Sequence, residues 1–344
     1  MTKNNFETVR QAEQVAAKNI RKETFQWLQA AAEDGFTHQK NIDDLRKIKI
    51  LPSQLSLEGE PKLETDFFGK KISSPLILSP MGHQTQFFKT GEIDMAKGAQ
   101  LSKTVAFFST QGRIKLDIIR KKNRNSILAW EIFPFGDHQW ISKQIQSAEK
   151  NKCTAIAICI DANVRSHRYL DREIKYDARK FGIRSNPVSP NPKKALAYNW
   201  NLIKFIRKKS KLPIIIKGVL SKEDAIRSVN CGADAIWISN HGGRMFNSGI
   251  SGIDALKAIR KSKKIKKTKI IVDGGIRKGS DIIKYLSLGA DFVGIGRPAV
   301  YGLIVSGYVG ANKIFHILNN ELRTAMINGG FKNLKSFKIN RLII

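Results

Sequence analysis

Ser239-Asn-His-Gly-Gly-Arg244 places a histidine and an arginine three residues apart, at the end of the apolar run 235–239. The run predicts a buried strand, and the two glycines allow the chain to turn sharply after it. A histidine can accept a proton near neutral pH, and an arginine can hold a carboxylate through two parallel hydrogen bonds. The motif therefore predicts chemistry on a small organic acid. The alternative is a loop histidine beside a solvated arginine.

The elements that would position this motif follow a repeating pattern. From residue 75 onward, eight short apolar runs alternate with stretches whose apolar residues recur every three or four positions. The predicted strands are residues 75–79, 105–108, 126–131, 155–160, 213–217, 235–239, 269–272 and 292–295. The predicted helices are residues 91–101, 138–150, 200–208, 221–230, 253–261 and 279–288. Eight alternations with short linkers predict an α/β protein with a closed (β/α)8 TIM barrel rather than an open doubly wound sheet.

Two segments fall outside this repeat. Residues 1–74 contain predicted helices at 6–32 and 41–51, and we expect an N-terminal helical extension packed on the barrel of residues 75–344, all within one structural domain. Residues 161–198 form a long polar loop after strand 4 that carries Pro187, Pro190 and Pro192. Long loops on the active face of a barrel are typically lids or binding loops, so we expect a mobile cover over the site. A disordered insertion is the alternative.

The composition limits the classes of partner. Sixty Lys and Arg residues against 29 Asp and Glu give a net charge of +31, which attracts nucleic acid and anionic lipid. The basic residues are dispersed over helical faces, so we interpret the charge as compositional drift and expect no specific nucleic-acid partner and no membrane. The N-terminus has no apolar signal core, so we expect a cytoplasmic protein. Cys153, Cys159 and Cys231 form no CxxC pair, which argues against a disulfide framework and a metal site.

Polar residues and glycines recur where the predicted strands end. In a parallel barrel the chemistry lies at the carboxyl ends of the strands, so these residues would meet on one rim. They are Ser79-Pro-Met-Gly-His83, Ser109, Glu131, Cys159 with Asp161, Lys217, Ser239 to Arg244, Asp273-Gly-Gly-Ile-Arg277 and Gly294-Ile-Gly-Arg-Pro298.

The ends of strands 7 and 8 have the features of a phosphate site. Gly274, Gly275 and Gly296 would expose backbone N–H groups, and Arg277 and Arg297 add positive charge. A phosphorylated cofactor or substrate is therefore implied.

Lys217 lies inside a very apolar strand, where an ammonium group needs an anionic partner. Near a phosphorylated flavin it would stabilise negative charge on the reduced ring. Near a sugar phosphate it would instead form a Schiff base. The residues alone leave both interpretations open.

Four motifs, in chain order, resemble those of the FMN-dependent 2-hydroxy acid oxidases and dehydrogenases, which include glycolate oxidase and lactate oxidase. They are Lys217-Gly-Val219, Ser239-Asn-His-Gly-Gly-Arg244, Asp273-Gly-Gly-Ile-Arg-Lys-Gly279 and Ile295-Gly-Arg-Pro298. The resemblance spans residues 25–334. It implies FMN as cofactor and oxidation of a small (S)-2-hydroxy acid, such as lactate, to the 2-oxo acid. It also implies a homotetramer, with O2 (giving H2O2) or another soluble compound as electron acceptor.

The resemblance also assigns roles to individual residues. His241 would take a proton from the substrate, and Asp273 would pair with it and stabilise its protonated form. Arg168 and Arg244 would hold the substrate carboxylate, while Lys217 would stabilise the anionic reduced flavin. The other FMN contacts would come from Pro80, Met81, Gly82, Ser109, Glu131, Cys159, Ser239, Asp273, Gly274, Gly275, Arg277, Gly296 and Arg297.

Several positions depart from the pattern of that family. Trp27 stands where the family has a tyrosine that binds the substrate carboxylate, and Phe133 replaces a second tyrosine, so a transition-state hydrogen bond is lost. Glu131 replaces a glutamine beside the flavin, and Cys159 replaces a threonine. These changes affect the substrate pocket and the pyrimidine edge of the flavin. We therefore expect a tighter or more apolar pocket, lined by Trp27 and Phe133, or much reduced activity.

Two further functions stay open. One is an FMN-binding barrel of altered or lost activity, either a silent paralogue or a non-redox enzyme similar to the flavin-dependent isopentenyl diphosphate isomerases. No hydroxy acid would then reduce the flavin. The other is a basic barrel that binds polyanions, which would retain DNA in a salt-dependent way without flavin turnover. His241 and Arg244 together favour the hydroxy acid.

Overall fold

Three helices precede the barrel in the computed structural model, which describes residues 5–55, 59–162, 164, 166–175 and 199–344. They are α1 (Val9–Asn19), α2 (Lys22–Gln29) and α3 (Phe36–Lys47). The single helix predicted over residues 6–32 is wrong, because Ile20 has extended backbone (φ −131°, ψ 160°) and separates α1 from α2. The helix predicted over 41–51 is displaced. Ile48 is extended and ends α3, and β1 (Lys49–Ile50) follows.

A hairpin between α3 and the barrel closes the amino-terminal end of the barrel. It consists of β2 (Thr65–Phe67) and β3 (Lys70–Ile72), which pair antiparallel. The fully buried Phe67 ring packs edge-on against Phe107 at 5.9 Å and Phe292 at 5.0 Å between centroids. Both partner rings belong to barrel strands, so the hairpin is the floor of the barrel interior.

Eight parallel strands form the closed barrel that the sequence predicts. They are β4 (Leu76–Leu78), β5 (Val105–Ser109), β6 (Ile127–Ile132), β7 (Ile156–Cys159), β8 (Ile214–Val219), β9 (Ala235–Ile238), β10 (Lys269–Asp273) and β11 (Phe292–Ile295). Neighbours in the chain are neighbours in the barrel, and β11 pairs with β4 to close it. The (β/α)8 prediction is confirmed, and each predicted strand agrees with the observed one to within two residues at either end.

The barrel interior changes from apolar to polar along the strands. Side chains along each β-strand point alternately into and out of the barrel, and alternate strands supply the side chains of each interior layer. Phe107 and Trp237 fill the middle, with ring centroids 4.8 Å apart. Two residues further along β8 from buried Ile215, the chain places Lys217, whose Nζ lies 5.9 Å from the centroid of the Trp237 ring. The last layer before the cavity is therefore built from chemically active side chains.

Helices surround the barrel and return the chain to each next strand. They are α4 (Gly91–Leu101), α5 (Leu116–Lys122), α6 (His138–Lys150), α7 (Tyr169–Glu173), α8 (Trp200–Lys209), α9 (Lys222–Asn230), α10 (Gly252–Arg260), α11 (Gly279–Ser287) and α12 (Arg297–Gly329). The six predicted helices are confirmed. Most of the predicted 161–198 loop lies outside the described residues, and its described part contains α7. Among the described residues, no helix is long and apolar enough to cross a membrane.

The long helix α12 was not predicted from the sequence. It is buried on several sides, against α1, α4 and α11, so its apolar residues do not form one stripe. Its helical geometry is interrupted at Ser306 and Gly307, where Gly307 adopts φ 58°. The last strand, β12 (Leu342–Ile343), then pairs antiparallel with β1, which follows α3.

We predict that Gly302→Ala destabilises the protein. A Cβ at Gly302 would lie 2.3 Å from the backbone oxygen of Gly310 across the interruption of α12, and backbone cannot move aside cheaply. Overpacking of this kind costs about 1–3 kcal/mol. The matched control is Gly249→Ala, whose Cβ would meet the exposed Phe246 ring at 3.2 Å and the Thr37 side chain at 3.6 Å, both without a backbone clash. Urea unfolding followed by circular dichroism should show a lower midpoint for Gly302→Ala alone. Equal midpoints for both variants would contradict this account of the contact.

Candidate active site

A cavity of about 1130 Å³ opens at the carboxyl ends of the barrel strands. Most of the residues predicted from the sequence line it: Trp27, Pro80, Met81, Gly82, Glu131, Phe133, Arg168, Lys217, His241, Arg244, Asp273, Gly274, Gly275, Arg277, Gly296 and Arg297. Three predicted residues, Ser109, Cys159 and Ser239, are buried behind these and each contacts a neighbour of the wall. The rim that the strand ends predicted is therefore one continuous site.

The innermost charged pair of the site is Lys217 and Glu131. Their side chains are 3% and 2% exposed, and Lys217 Nζ lies 3.8 Å from Glu131 Oε1. Burial raises the pKa of Glu131 to about 7, although the nearby Lys217 ammonium and a hydrogen bond with Ser109 lower it. Burial would lower the pKa of Lys217, but the charges of Glu131, Asp161 and Asp273 outweigh it and raise that pKa. Lys217 is therefore charged at neutral pH.

The structure pairs His241 with a different carboxylate from the predicted one. The prediction that Asp273 pairs with His241 is wrong: His241 Nδ1 lies 3.3 Å from Oδ1 of Asp161, which follows the end of β7. Burial lowers the pKa of His241, and Lys217 lowers it further, while Asp161 raises it. The pKa of Asp161 lies well below its usual range, because His241 and Lys217 outweigh the effect of burial. A partly buried imidazole held by a carboxylate at one nitrogen can accept a proton at the other.

Asp273 is instead held by two serines, which follow the ends of β4 and β9. Ser239 Oγ donates to its Oδ1 at 2.7 Å, and Ser79 Oγ donates to its Oδ2 at 3.4 Å. Ser239 Oγ also accepts the backbone N–H of His241 at 3.1 Å. Asp273 is therefore linked to His241 through the Ser239 hydroxyl. Burial raises the pKa of Asp273.

Cys159 extends the His241–Asp161 pair. Its thiol lies 3.0 Å from Asp161 Oδ1, and the ligand atoms of the three residues lie within 4.8 Å of one another. This is the spacing of a metal-ligand set, but burial raises the pKa of Cys159 well above its usual value, so the thiol is protonated. The adjacent Lys217 ammonium further opposes a cation there. The arrangement therefore suits proton transfer better than metal binding.

The two arginines predicted to bind a carboxylate line the cavity, and both are anchored to the protein. Arg244 Nη1 donates to the carbonyls of Trp27 and Leu28, each at 3.2 Å, and its guanidinium carbon lies 5.1 Å from the Trp27 ring centroid. Arg168 Nε donates to Ser166 Oγ at 3.3 Å. These contacts fix the planes of both guanidinium groups. Their binding of a substrate carboxylate stays a prediction.

One wall of the cavity is apolar. The Phe133 ring lies 5.9 Å from the His241 ring and 5.7 Å from Phe135, and Met245 packs on the same cluster. Trp27 and His83 also line the cavity, with their ring centroids 6.2 Å apart. The two predicted pocket residues, Trp27 and Phe133, therefore both line the cavity, and Phe133 lies beside the His241 imidazole.

The ends of β10 and β11 gather positive charge. Arg277 and Arg297 line the cavity, and α12 begins there with Gly296 before its first turn. Burial lowers the pKa of Arg297 to about 10, and Arg277 contributes to this shift. Burial, with the charges of Arg297 and Arg277, lowers the pKa of His38 to about 3. Mutually unfavourable cations beside a helix N-terminus form a site that favours an anion.

Arg297 makes several hydrogen bonds within the protein. Its Nε donates to the Leu28 carbonyl at 3.0 Å, and its Nη1 contacts the Gly242 carbonyl at 3.1 Å and His38 Nδ1 at 3.0 Å. It therefore joins the end of α2 to the loop after β9. Whether it also contacts a phosphate stays a prediction.

The N-terminal extension supports the loop that carries His241. Asn41 in α3 and Asn240 exchange side-chain amide hydrogen bonds at 2.8 and 2.9 Å. A Cβ at Gly243 would lie 2.4 Å from the backbone nitrogen of His38, and one at Gly275 would lie 2.3 Å from the Asn41 carbonyl oxygen. The glycines of both motifs are therefore needed for the approach of α3 as well as for turns. Sequence reasoning missed Asn41, His38 and the role of Asp161.

Comparisons with known proteins agree on one family. A family profile described as FMN-dependent dehydrogenase matches residues 16–343. The chain is 30% identical over 339 residues to 2-hydroxyacid oxidase 2 of Homo sapiens, covering 96% of this chain and 95% of that protein. It is also 30% identical over 347 residues to L-lactate oxidase of Streptococcus iniae, covering 97% and 85%. Among solved structures, mandelate oxidase with (S)-2-phenylpropionate is similar, with a TM-score of 0.91, 26% identity and 98% coverage of each chain.

We predict that Asp161→Asn lowers the pKa of His241, because it removes the carboxylate that contacts Nδ1. Asp273→Asn is the matched control and should change that pKa less, since Asp273 reaches the imidazole only through Ser239. Nuclear magnetic resonance titration of ring-labelled histidine, with the His241 signals assigned from His241→Gln, measures both pKa values. A larger change of the His241 pKa in Asp273→Asn than in Asp161→Asn would instead support Asp273 as the partner of His241.

Proposed function

The chain belongs to the FMN-dependent dehydrogenase family, and on that premise we propose that it oxidises a small (S)-2-hydroxy acid, lactate being the first candidate, with O2 as the electron acceptor. The products would be the 2-oxo acid and H2O2. The observation that carries this proposal is the His241–Asp161 pair beside Lys217 in one cavity. That combination supplies a base for the hydroxyl and a fixed positive charge for an electron-rich ring.

The residues of the cavity fit FMN in their chemistry. The cationic end formed by Arg277 and the start of α12 suits the phosphate, for the electrostatic reasons given above. At the inner end, Glu131 Oε1 is buried with no hydrogen-bond partner among the described residues, and Lys217 provides charge beside it. A flavin ring carries both a hydrogen-bond donor and an acceptor at its pyrimidine edge. When bound, FMN supplies an acceptor for two electrons, taken as a hydride or its equivalent.

His241 is the base of the proposed reaction. It takes the proton of the substrate hydroxyl as the Cα–H bond breaks, and Asp161 stabilises the imidazolium that results. Because burial lowers the pKa of His241, the imidazole is neutral and ready to accept a proton at neutral pH. The rate should therefore rise with pH through the His241 pKa, with the midpoint of the rise below pH 6.5, the ordinary pKa of histidine.

Arg244 and Arg168 hold the substrate carboxylate in this proposal. Both guanidinium groups line the cavity and both are oriented by hydrogen bonds to protein oxygens. A prepositioned arginine binds a carboxylate through two parallel bonds and loses little side-chain entropy on binding.

The apolar wall of Phe133, Phe135 and Met245 would face the substituent on the substrate Cα. Phe133 has no hydroxyl with which to assist the reaction at the neighbouring imidazole, so we expect slower turnover than an otherwise equal site with a phenol there. The same wall favours an apolar substituent, which is why the test below includes aromatic as well as aliphatic hydroxy acids. A cytoplasmic location and a homotetramer stay predictions.

Anaerobic mixing of the FMN-loaded protein with lactate, glycolate, 2-hydroxybutyrate and mandelate tests the proposal. We expect at least one of these to bleach the flavin absorbance, and admission of air to restore it with one H2O2 per turnover. His241→Gln should retain FMN but lose about 10²–10⁴-fold in the rate of bleaching, the usual contribution of a positioned base. A yellow protein that none of these compounds bleaches would favour the alternative of an FMN barrel with altered or lost activity.

Arg277→Gln should weaken FMN binding and leave riboflavin binding unchanged, because riboflavin lacks the phosphate. Loss of a charge-assisted hydrogen bond costs about 1.5–3 kcal/mol, or roughly 10–100-fold in the dissociation constant. Arg323→Gln is the control, since that arginine pairs with Glu60 away from the cavity. Titration of the apoproteins with FMN or riboflavin, followed by quenching of the flavin fluorescence, gives the dissociation constants for the parent and the two variants. If Arg277→Gln weakened the binding of FMN and of riboflavin equally, Arg277 would not be a phosphate ligand.

A further inference from the structure

Glu131 puts a carboxyl group where the cavity meets the polar top layer of the barrel. It ends the inward-facing series of β6, lines the cavity and is 2% exposed. Its Oε1 has no hydrogen-bond partner among the described residues, although Lys217 Nζ lies 3.8 Å away. A buried carboxyl oxygen without a partner is costly unless a ligand donates to it.

The charged groups around Glu131 make its protonation state sensitive to any new charge nearby. Lys217 on β8 favours the carboxylate, and so does the hydrogen bond with Ser109 on β5. Asp161 after β7 and Asp273 on β10 oppose it, and the Cys159 thiol of β7 is a neutral neighbour. With burial included, the pKa of Glu131 is about 7, so the group is close to half-protonated at neutral pH. A new negative charge nearby would then be enough to protonate it.

We propose that Glu131 sets the reduction potential of the bound FMN and takes up a proton when the flavin is reduced, because the carboxylate and the reduced ring share the buried ammonium of Lys217. The inference rests on the placement of FMN proposed above. Two electrons and one proton convert the flavin to its singly charged reduced form. One further proton converts the Glu131 carboxylate to the acid. The substrate or an added reductant supplies the electrons, and solvent supplies the proton for Glu131.

The direction of the effect follows from the charges. An ionised Glu131 cancels part of the positive charge of Lys217, so the reduced ring is less stabilised and the potential is lower than with a neutral residue of the same shape. Proton uptake on reduction removes part of this penalty. The potential should therefore fall more steeply with pH in the parent protein than in Glu131→Gln, by one proton for every two electrons. At acidic pH, where Glu131 is already protonated, the two proteins should converge.

The test measures the midpoint potential of the FMN-loaded protein between pH 5.5 and 9, by reductive titration against reference dyes without any hydroxy acid. At pH 8, Glu131→Gln should bind reduced FMN at least tenfold more tightly relative to oxidised FMN than the parent does. For a two-electron couple that ratio corresponds to about 30 mV. Glu92→Gln is the matched control, because Glu92 is also a fully buried carboxyl but does not line the cavity. It should follow the parent at every pH.

The outcomes separate this inference from the proposed function. Equal potentials for the parent and Glu131→Gln across the range would overturn it, as would an equal shift in Glu92→Gln. If Glu131→Gln does not fold, proton uptake by the parent during reduction at pH 8, read with a pH indicator, decides instead. More than one proton per anionic reduced flavin supports the inference, and one proton overturns it. A protein that shows the shift but is not reduced by any hydroxy acid keeps this inference and loses the proposed oxidation.

Discussion

A single buried ammonium group constrains the whole polar end of the barrel. Lys217 occupies an interior position of a strand whose other inward side chains are apolar, and its Nζ rests above the Trp237 ring. Such a charge cannot be buried without carboxylates nearby. Glu131, Asp161 and Asp273 supply them from three other strand ends, and each consequently has its proton affinity set by the same lysine. The imidazole of His241 is then positioned by one of those carboxylates.

The second constraint is the contact between the N-terminal extension and the loops after β9 and β10. Asn41 and Asn240 bind one another, and Gly243 and Gly275 allow α3 to approach closer than any side chain would permit. Arg297 joins α2 to the same loop through backbone carbonyls. The site is thus built from barrel strands below and held in place by helices from outside the repeat.

Much of the fold could be predicted because barrel strands are short, continuous apolar runs with polar ends. That pattern located all eight strands and placed most of the site residues on one rim. It could not locate α12, since a helix buried on several sides has no polar face to reveal its period. It also failed for α1 and α2, because the break at Ile20 carries neither glycine nor proline. Which carboxylate meets His241 depends on how the chain leaves β7. Asp161 and Asp273 are equivalent in sequence, each at the end of an apolar strand, and only the three-dimensional turn separates them.

The docking of α3 also bears on the order in which the molecule forms. Asn41 and Asn240 are separated by 199 positions in the chain, and Gln29 and Tyr301, which also bond, by 272. Contacts of such long sequence separation form late in folding, because the loops that they close carry the largest entropy cost. The N-terminal helices therefore find these partners only after the loop that follows β9 and the start of α12 are in place. We therefore expect the barrel wall to close before α3 supports the His241 loop, so that the competent site forms after the barrel.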